Sequence, residues 1–291
     1  MFRMKTTTPD SFKIVDSSGH YQVIARPQGY GVIRHRDSGE SMHSVNEPAE
    51  EARRLYVEQS GVVRRVSTGD TCTVWDVGLG AGTNAMELIH SYESAPRREG
   101  AIRLISFEND VTPLRLALAH PDLFPHARHE APRAIYSRGT WRSDDGCITW
   151  DLLAGDFLEK LGDAPTPEVI WYDPFSYKVN THLWSVAAFR DVLAATKGSE
   201  STLFTYSAST AVRASMLCAG WHVGRGRGSG PKAETTIAFT PQAALTADAR
   251  QSLLGRDWLA RWERSDARRP IGDLTEDFES VIRNHPQFLP S

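Results

Sequence analysis

Residues 74–88 read VWDVGLGAGTNAMEL. The segment continues a near-unbroken apolar run, CTVWDVG over 72–78, as expected of a parallel strand covered on both faces. Gly78, Gly80 and Gly82 follow at alternate positions, and TNAMELIHSY over 83–92 then takes helical spacing. Alternating glycines let the backbone turn tightly and remove every Cβ between the chain and a ligand. The helix start beyond them offers N–H groups with no intrahelical partner. Strand, glycine loop and helix in that order form one unit of a doubly wound α/β sheet.

The alternation continues outward. AIRLISFE (101–108) predicts a second strand and TPLRLALAH (112–120) a second helix. GTWRSDDGCITWDLLAGD (139–156) predicts a hairpin about Asp144–Gly146, followed by a strand. EVIWYD (168–173) and STLFTYS (201–207) predict strands, each followed by a helix, at 181–196 and 208–220. WHVGRG and ETTIAFT close the series as a hairpin-like pair. The expected fold is an α/β, Rossmann-like doubly wound sheet, mostly parallel with an antiparallel edge. Upstream, FKIVD, YQVIA and YGVIRHR are short β-prone runs broken by SSG, RPQG and DSG, which predicts small hairpins. NEPAEEARRLYVEQSGVV predicts a helix with Asn46 as N-cap, Pro48 in its first turn and Gly61 as its stop. Downstream, Leu254, Trp258, Leu259 and Trp262 recur near helical spacing before Pro270, and DLTEDFESVIRNHPQF adds a second short helix. Docking of this tail on the core is expected, with dimerisation or edge cover as alternatives. The expected organisation is a loose start over 1–11 within an N-terminal hairpin and helix extension (1–70), a central α/β domain (71–240) and a C-terminal helical tail (241–291).

The 291 residues carry 33 Lys+Arg against 36 Asp+Glu, a net charge of -3. That excludes a generic nucleic-acid coat, which needs a large positive excess, but not a local basic patch. Cys72, Cys147 and Cys218 are odd in number, far apart and without CxxC spacing, so neither a disulfide framework nor a structural zinc is expected. A reducing, cytoplasmic setting fits that usage. No apolar run approaches the roughly 20 residues of a membrane helix, and MFRMKTTTPDSF lacks a signal peptide's apolar stretch.

Two ligand classes use a strand–glycine-loop–helix. Dinucleotide sites favour G-x-G-x-x-G, whereas S-adenosylmethionine sites favour an acid before G-x-G-x-G. Asp76 before Gly78, Gly80 and Gly82 favours the second, with a ligand-free turn as the plain alternative. Glu108 and Asn109 end the next strand, where a carboxylate can accept from both ribose hydroxyls or simply face solvent. In GDF (155–157), Asp156 can accept an adenine amino group and Phe157 can pack on the ring, or the segment is a plain turn. Asp173 is delivered to the end of a buried strand facing the same crevice. It can accept a proton from an amine nucleophile, or serve as an N-cap or loop acid. Phe175 or Tyr177 in the following loop can stack on a flat base. Arg225, Arg227 and Lys232 lie in RGRGSGPK, read as a Gly-rich basic loop that contacts phosphates or stands as a solvated hairpin. His120, His126 and His129 have no neighbouring ligand set and are expected to be solvated, so no metal site is expected.

Taken in order, these segments resemble the methyltransferase half of the bifunctional MnmC tRNA-modification enzyme and its stand-alone relatives. GESMHSVNEPAEEARRLYVE (39–58), the glycine loop, RLISFEND, LLAGD, WYDPFSYKVNTHLW and FTYSASTAVRASMLCAGWHVGRGRGSGPKAE (204–234) follow the family's sequence of motifs. The resemblance spans roughly 30–240. It implies methyl transfer from S-adenosylmethionine to the 5-aminomethyl group of the wobble uridine of tRNA, often 2-thiolated, giving 5-methylaminomethyluridine. By motif match it puts Asp76, Gly78, Gly80, Gly82, Asn84, Glu108 and Asp156 on the cofactor side, and Asp173, Phe175 and Lys178 at the methyl-transfer crevice. The tRNA anticodon region is the implied partner. No second glycine-rich fingerprint follows residue 240, so no flavin is expected, and an upstream enzyme is expected to supply the aminomethyl intermediate. Net charge leaves a small-molecule or protein amine as an alternative acceptor. A non-catalytic tRNA-binding role is the third reading, opposed by the joint presence of Asp76, Glu108 and Asp173.

Overall fold

The computed structural model describes residues 12–42, 47–229, 232–272 and 277–289. The expectations for residues 1–11 and for Asn46 as an N-cap lie outside the described residues. Strands β1 (Lys13–Ser18), β2 (Tyr21–Ala25) and β3 (Gly31–His35) form a separate antiparallel sheet in sequence order. This is the expected hairpin region. Helix α1 (Pro48–Ala52) runs into a π-helical turn over Arg53–Glu58, and α2 (Val62–Val66) continues beyond it. Gly61 therefore interrupts this helical path without ending it. Its φ of 66° is left-handed, and α2 restarts from it.

The main sheet contains β4 (Thr71–Val77), β5 (Ala101–Glu108), β6 (Thr140–Arg142), β7 (Ile148–Ala154), β8 (Val169–Tyr172), β9 (Thr202–Thr205), β10 (His222–Ser229) and β11 (Lys232–Phe239). Their order is β10-β11-β9-β8-β4-β5-β7-β6. Strands β7, β5, β4, β8 and β9 are parallel neighbours, whereas β6 and the β10–β11 pair run antiparallel at the two edges. The sheet is Rossmann-like, with an antiparallel strand at both edges where the sequence pointed to one.

The helices connecting and flanking these strands are α3 (Thr83–Glu93), α4 (Thr112–Ala119), α5 (Glu130–Arg138), α6 (Phe157–Lys160), α7 (Val186–Ala195) and α8 (Thr210–Cys218). Strand alternation explains why both faces need cover. Trp75, Val77, Ile105 and Phe107 point into one core with Phe189 of α7 and Val212 of α8. Cys72, Val74, Ile102 and Leu104 point into the other with Ala85 and Leu88 of α3. The tail forms α9 (Ala247–Ser252), α10 (Arg256–Glu263) and α11 (Phe278–Arg283). Leu254, Trp258, Trp262 and Ile282 enter the first core, so the tail is docked as expected. Among the described residues, no helix is long and apolar enough to cross a membrane.

Strand order positions the site. From β4 the chain steps outward to β5 and β7, then crosses back to lay β8 on β4's other side. The loops after β4 and β8 therefore meet at the switch point, where open α/β sheets bind ligands.

Candidate active site

Gly78, Gly80 and Gly82 all take left-handed φ values, 93°, 53° and 81°. At Gly78 an added Cβ would lie 2.8 Å from the Asp173 carbonyl oxygen and 3.2 Å from Pro174 Cα. The absent side chain lets the two loops touch. The Gly80 N–H donates to Glu108 Oε2 at 3.0 Å, while the N–H groups of Asn109 and Asp110 donate to Oε1, each at 3.0 Å. Glu108 is thus held rigidly at the cavity wall. A carboxylate offers about four lone-pair sites, so acceptor capacity remains. Desolvation pushes its carboxyl above the ordinary range, against the pull of these N–H groups.

Asp76 is fully buried. Its Oδ2 accepts from Ser106 Oγ at 2.7 Å, and its Oδ1 has no partner. Burial chiefly pushes its carboxyl up to about 7. Asp76 and Gly82 lie beneath the loop and do not line the cavity that Gly78, Gly80 and Asn84 line. His126, expected to be solvated, is half-buried, and its Nε2 meets the Ala81 carbonyl at 2.9 Å. Burial holds this imidazole below its usual range, so the neutral ring donates from Nε2 and braces the loop. His120 pairs with Asp16 at 2.8 Å, and His129 caps α5, so these two are also structural and partly buried.

The cavity encloses about 730 Å³, within the range of small-molecule sites. Asp156 lines it. Its Oδ1 accepts from the Leu158 N–H at 2.8 Å, and its Oδ2 lies 3.7 Å from His182 Nε2. Phe157 also lines it, packed edge-on against Phe107 with ring centres 4.9 Å apart. Asn109 is exposed at the rim.

Across the cavity, Asp173 Oδ2 accepts from Asn84 Nδ2 at 2.8 Å. Desolvation is the largest influence on Asp173 and pushes its carboxyl up to about 8. Phe175 stacks on Tyr21 at 6.5 Å and meets the His35 ring edge-on at 5.6 Å. Glu40 accepts from both the N–H and the Oγ of Ser176, each at 2.9 Å. Sequence reasoning does not single out Tyr21, His35, Glu40, Glu51 or Tyr56 as site residues. For the last three the only signal is the 39–58 motif, which matches as a block and gives no role to any one side chain.

Comparison with known proteins adds to this geometry. A family model described as S-adenosyl-L-methionine-dependent methyltransferase matches residues 122–241. The tRNA 5-methylaminomethyl-2-thiouridine biosynthesis bifunctional protein MnmC of Ectopseudomonas mendocina is 28% identical over 211 residues, covering 68% of this chain and 32% of that protein. Its namesake from Pseudomonas fluorescens is 30% identical over 197 residues, covering 64% and 30%. The chain spans about a third of the length of the curated relatives it matches. The crystal structure of MnmC2 from Aquifex aeolicus shares the fold, with a TM-score of 0.66 and 20% identity over 93% of this chain and 85% of that one. These stretches of the chain are similar to S-adenosylmethionine-dependent methyltransferases and to the MnmC proteins.

The cavity suits a cationic cofactor. Asp173 and Glu108 line it with Asp76 beneath, all three pushed toward the protonated form by burial, and the Asn84 carbonyl oxygen is buried without a partner. A ligand carrying positive charge would relieve both costs. Other expected contacts lie elsewhere. Lys178 is exposed and is not among the lining residues. Arg225 and Arg227 sit within β10 rather than in a loop, because glycines alternate with them on the packed face. A Cβ at Gly224 would lie 2.9 Å from the Ser252 carbonyl. Arg225 pairs with Asp257 at 2.7 Å and Glu234 at 3.3 Å, and Arg227 with Glu58 at 3.8 Å. The Lys232 side chain lies outside the described atoms.

Proposed function

We propose that this chain is an S-adenosylmethionine-dependent methyltransferase that methylates the 5-aminomethyl nitrogen of the wobble uridine of tRNA, 2-thiolated or not, forming 5-methylaminomethyluridine. The observation that carries the reading is Asp173, whose backbone packs on Gly78 while its carboxyl, bonded to Asn84, lines the same cavity as the glycine loop. The names of the MnmC relatives support the acceptor. We assign catalysis to residues 71–240, with the described part of 1–70 walling the acceptor side and the described part of 241–291 bracing the sheet.

The chemistry that S-adenosylmethionine supplies when bound is a methyl on positively charged sulfur, passed to a nitrogen lone pair as the S–C electron pair returns to sulfur. Glu108 would hold the ribose hydroxyls and Asp156 Oδ2 the adenine amino group, with Phe157 beside the ring. The Asn84 carbonyl oxygen would accept from the ammonium. Asp173 takes the acceptor's proton and aims its lone pair. With a carboxyl pushed up to about 8, it is a stronger base, once ionised, than an ordinary aspartate. Cations entering the cavity favour that ionised form. Phe175, backed by Tyr21 and His35, gives an aromatic wall for a flat base. Arg225 and Arg227 on the edge strand β10, together with Lys232, are the candidate phosphate contacts.

One observation favours a smaller amine as acceptor: Arg225 and Arg227 already pair with acids of this chain. The test is to incubate the protein with S-adenosylmethionine and tRNA carrying the aminomethyl intermediate, then analyse the nucleosides by mass spectrometry. A gain of one methyl on the wobble nucleoside is expected. Unmodified tRNA alongside methylated free alkylamines would establish the second reading.

A further inference from the structure

A π-helical turn over Arg53–Glu58 borders the cavity, which Leu55 and Tyr56 line. Such turns recur at functional sites because the extra residue re-aims a side chain. Here the turn carries Tyr56, whose side chain is 2% exposed and packs on Trp171 at 5.9 Å. Its hydroxyl is buried with no hydrogen bond of ordinary geometry, although it faces Asp173. A buried hydroxyl is normally paired, and leaving one unpaired is costly. One helical turn earlier, Glu51 lines the same cavity and adds a second carboxylate facing Asp173. On the far side, the Tyr206 hydroxyl is committed to the Pro174 carbonyl at 3.2 Å. Of the two tyrosines, Tyr56 is the one with a hydrogen left to offer.

We propose that Tyr56 is a positioning residue for Asp173, donating its hydroxyl hydrogen to the carboxylate as the acceptor ammonium enters, and that Glu51 supplies the second negative charge that draws that ammonium in. The inference rests on the reading of Asp173 as the group facing an acceptor amine. The site then selects an alkylammonium over a neutral alcohol, because two carboxylates side by side need a cation between them. Among the described residues, five groups face Asp173: Tyr56 from the π turn, Glu51 from α1, Asn84 from α3, Asp76 from β4 and Tyr206 beyond β9. Tyr56 and Asn84 favour the charged carboxylate, whereas Glu51 and Asp76 oppose it. Removing Tyr56 and removing Glu51 must therefore move Asp173 in opposite directions.

The experiment titrates Asp173 by carbon-13 NMR in aspartate-labelled protein saturated with S-adenosylhomocysteine, using Asp173→Asn to assign the signal. Tyr56→Phe is expected to raise the Asp173 midpoint and Glu51→Gln to lower it. In turnover, Tyr56→Phe should lose about tenfold in kcat at pH 7, recovering at higher pH. Glu51→Gln should raise KM for the amine more than it lowers kcat. Titration unchanged in both variants, or moved the same way in both, overturns the proposal. If Tyr56→Phe does not fold, Glu51→Gln still decides by the sign of its shift. Opposite shifts without methylation of tRNA uphold this inference and overturn the acceptor assigned above.

Discussion

Asn84 and Asp173 lie 89 residues apart, yet the Asn84 amide donates to the Asp173 carboxyl at 2.8 Å and ties the first turn of α3 to the loop after β8. Replacing Asn84 by Ala strands a buried-side acceptor. A stability loss of about 1–3 kcal/mol is expected in urea titrations. The pH optimum of turnover should also rise, because a partner of the charged carboxylate is gone. An unshifted optimum would mean that Asn84 only packs.

Asp173 and Asp76 have carboxyls pushed up to about 8 and about 7, from an ordinary 3.8. Between the ordinary value and these raised ones, the unfolded chain has released protons that the folded chain still holds. Stability is therefore expected to fall as pH rises through that window. Asp173→Asn removes one contributor, so its urea midpoint should decline less between pH 5 and 8. The same variant should keep near-normal cofactor affinity and lose at least about tenfold in turnover at pH 7. Equal pH slopes in the two proteins would show that Asp173 is already ionised in the fold.

Glu108 is held by three backbone N–H groups and faces the cavity. Glu108→Ala should weaken cofactor binding by roughly 1.5–3 kcal/mol, the usual worth of hydrogen bonds to a charged group. Calorimetry with S-adenosylhomocysteine reads this directly, and an unchanged affinity places the ribose elsewhere.

Gly78 and Gly82 share left-handed backbone but differ in surroundings. A Cβ at Gly82 would first meet the Leu114 side chain at 3.4 Å, against 2.8 Å from the Asp173 carbonyl at Gly78. Gly82→Ala should therefore show the backbone strain alone, about 1–3 kcal/mol. Gly78→Ala should add displacement of the Asp173 loop, with a larger loss of cofactor affinity. Calorimetry and thermal melting of the pair check this, and equal affinities would remove the steric argument.

Neutralising Arg225, Arg227 and Lys232 should flatten the salt dependence of tRNA binding by about 0.7–0.9 in log–log slope for each phosphate that no longer meets a cation. The side chain of Arg227 is 61% exposed, and that of Arg225 is held between Asp257 and Glu234. Arg227 alone should thus account for more of the change than Arg225. A slope that survives all three substitutions assigns this strand pair a purely structural role.

The legible and illegible parts of the chain divide by physical cause. Strand β4 and helix α3 follow from apolar runs and helical spacing, which are local properties. Helix α5 is not legible, because its buried face, Ala131, Pro132, Ala134 and Ile135, is mostly small side chains and includes a proline, so no strong apolar stripe marks it. The π turn at Arg53–Glu58 is invisible because one extra residue per turn leaves no composition signal. The Gly-Arg alternation of 224–228 has the composition of a loop, yet it is strand β10, since close packing by Ser252 sets the need for glycine.

By itself the sequence determined the glycine loop, the strand–helix units around it, and the acids that end β5 and β8. Each of these depends on residues within one turn or one strand of each other. Only the tertiary structure decided that Asp76 lies beneath the cavity while Asp173 lines it, and that Glu40 grips Ser176 from 136 residues away. It alone placed the Tyr56 hydroxyl, without a hydrogen bond of ordinary geometry, against the Asp173 carboxyl. The reason is that desolvation and through-space charge are set by which strands become neighbours. Here β8 returns to lie beside β4, and no local stretch of sequence carries that information.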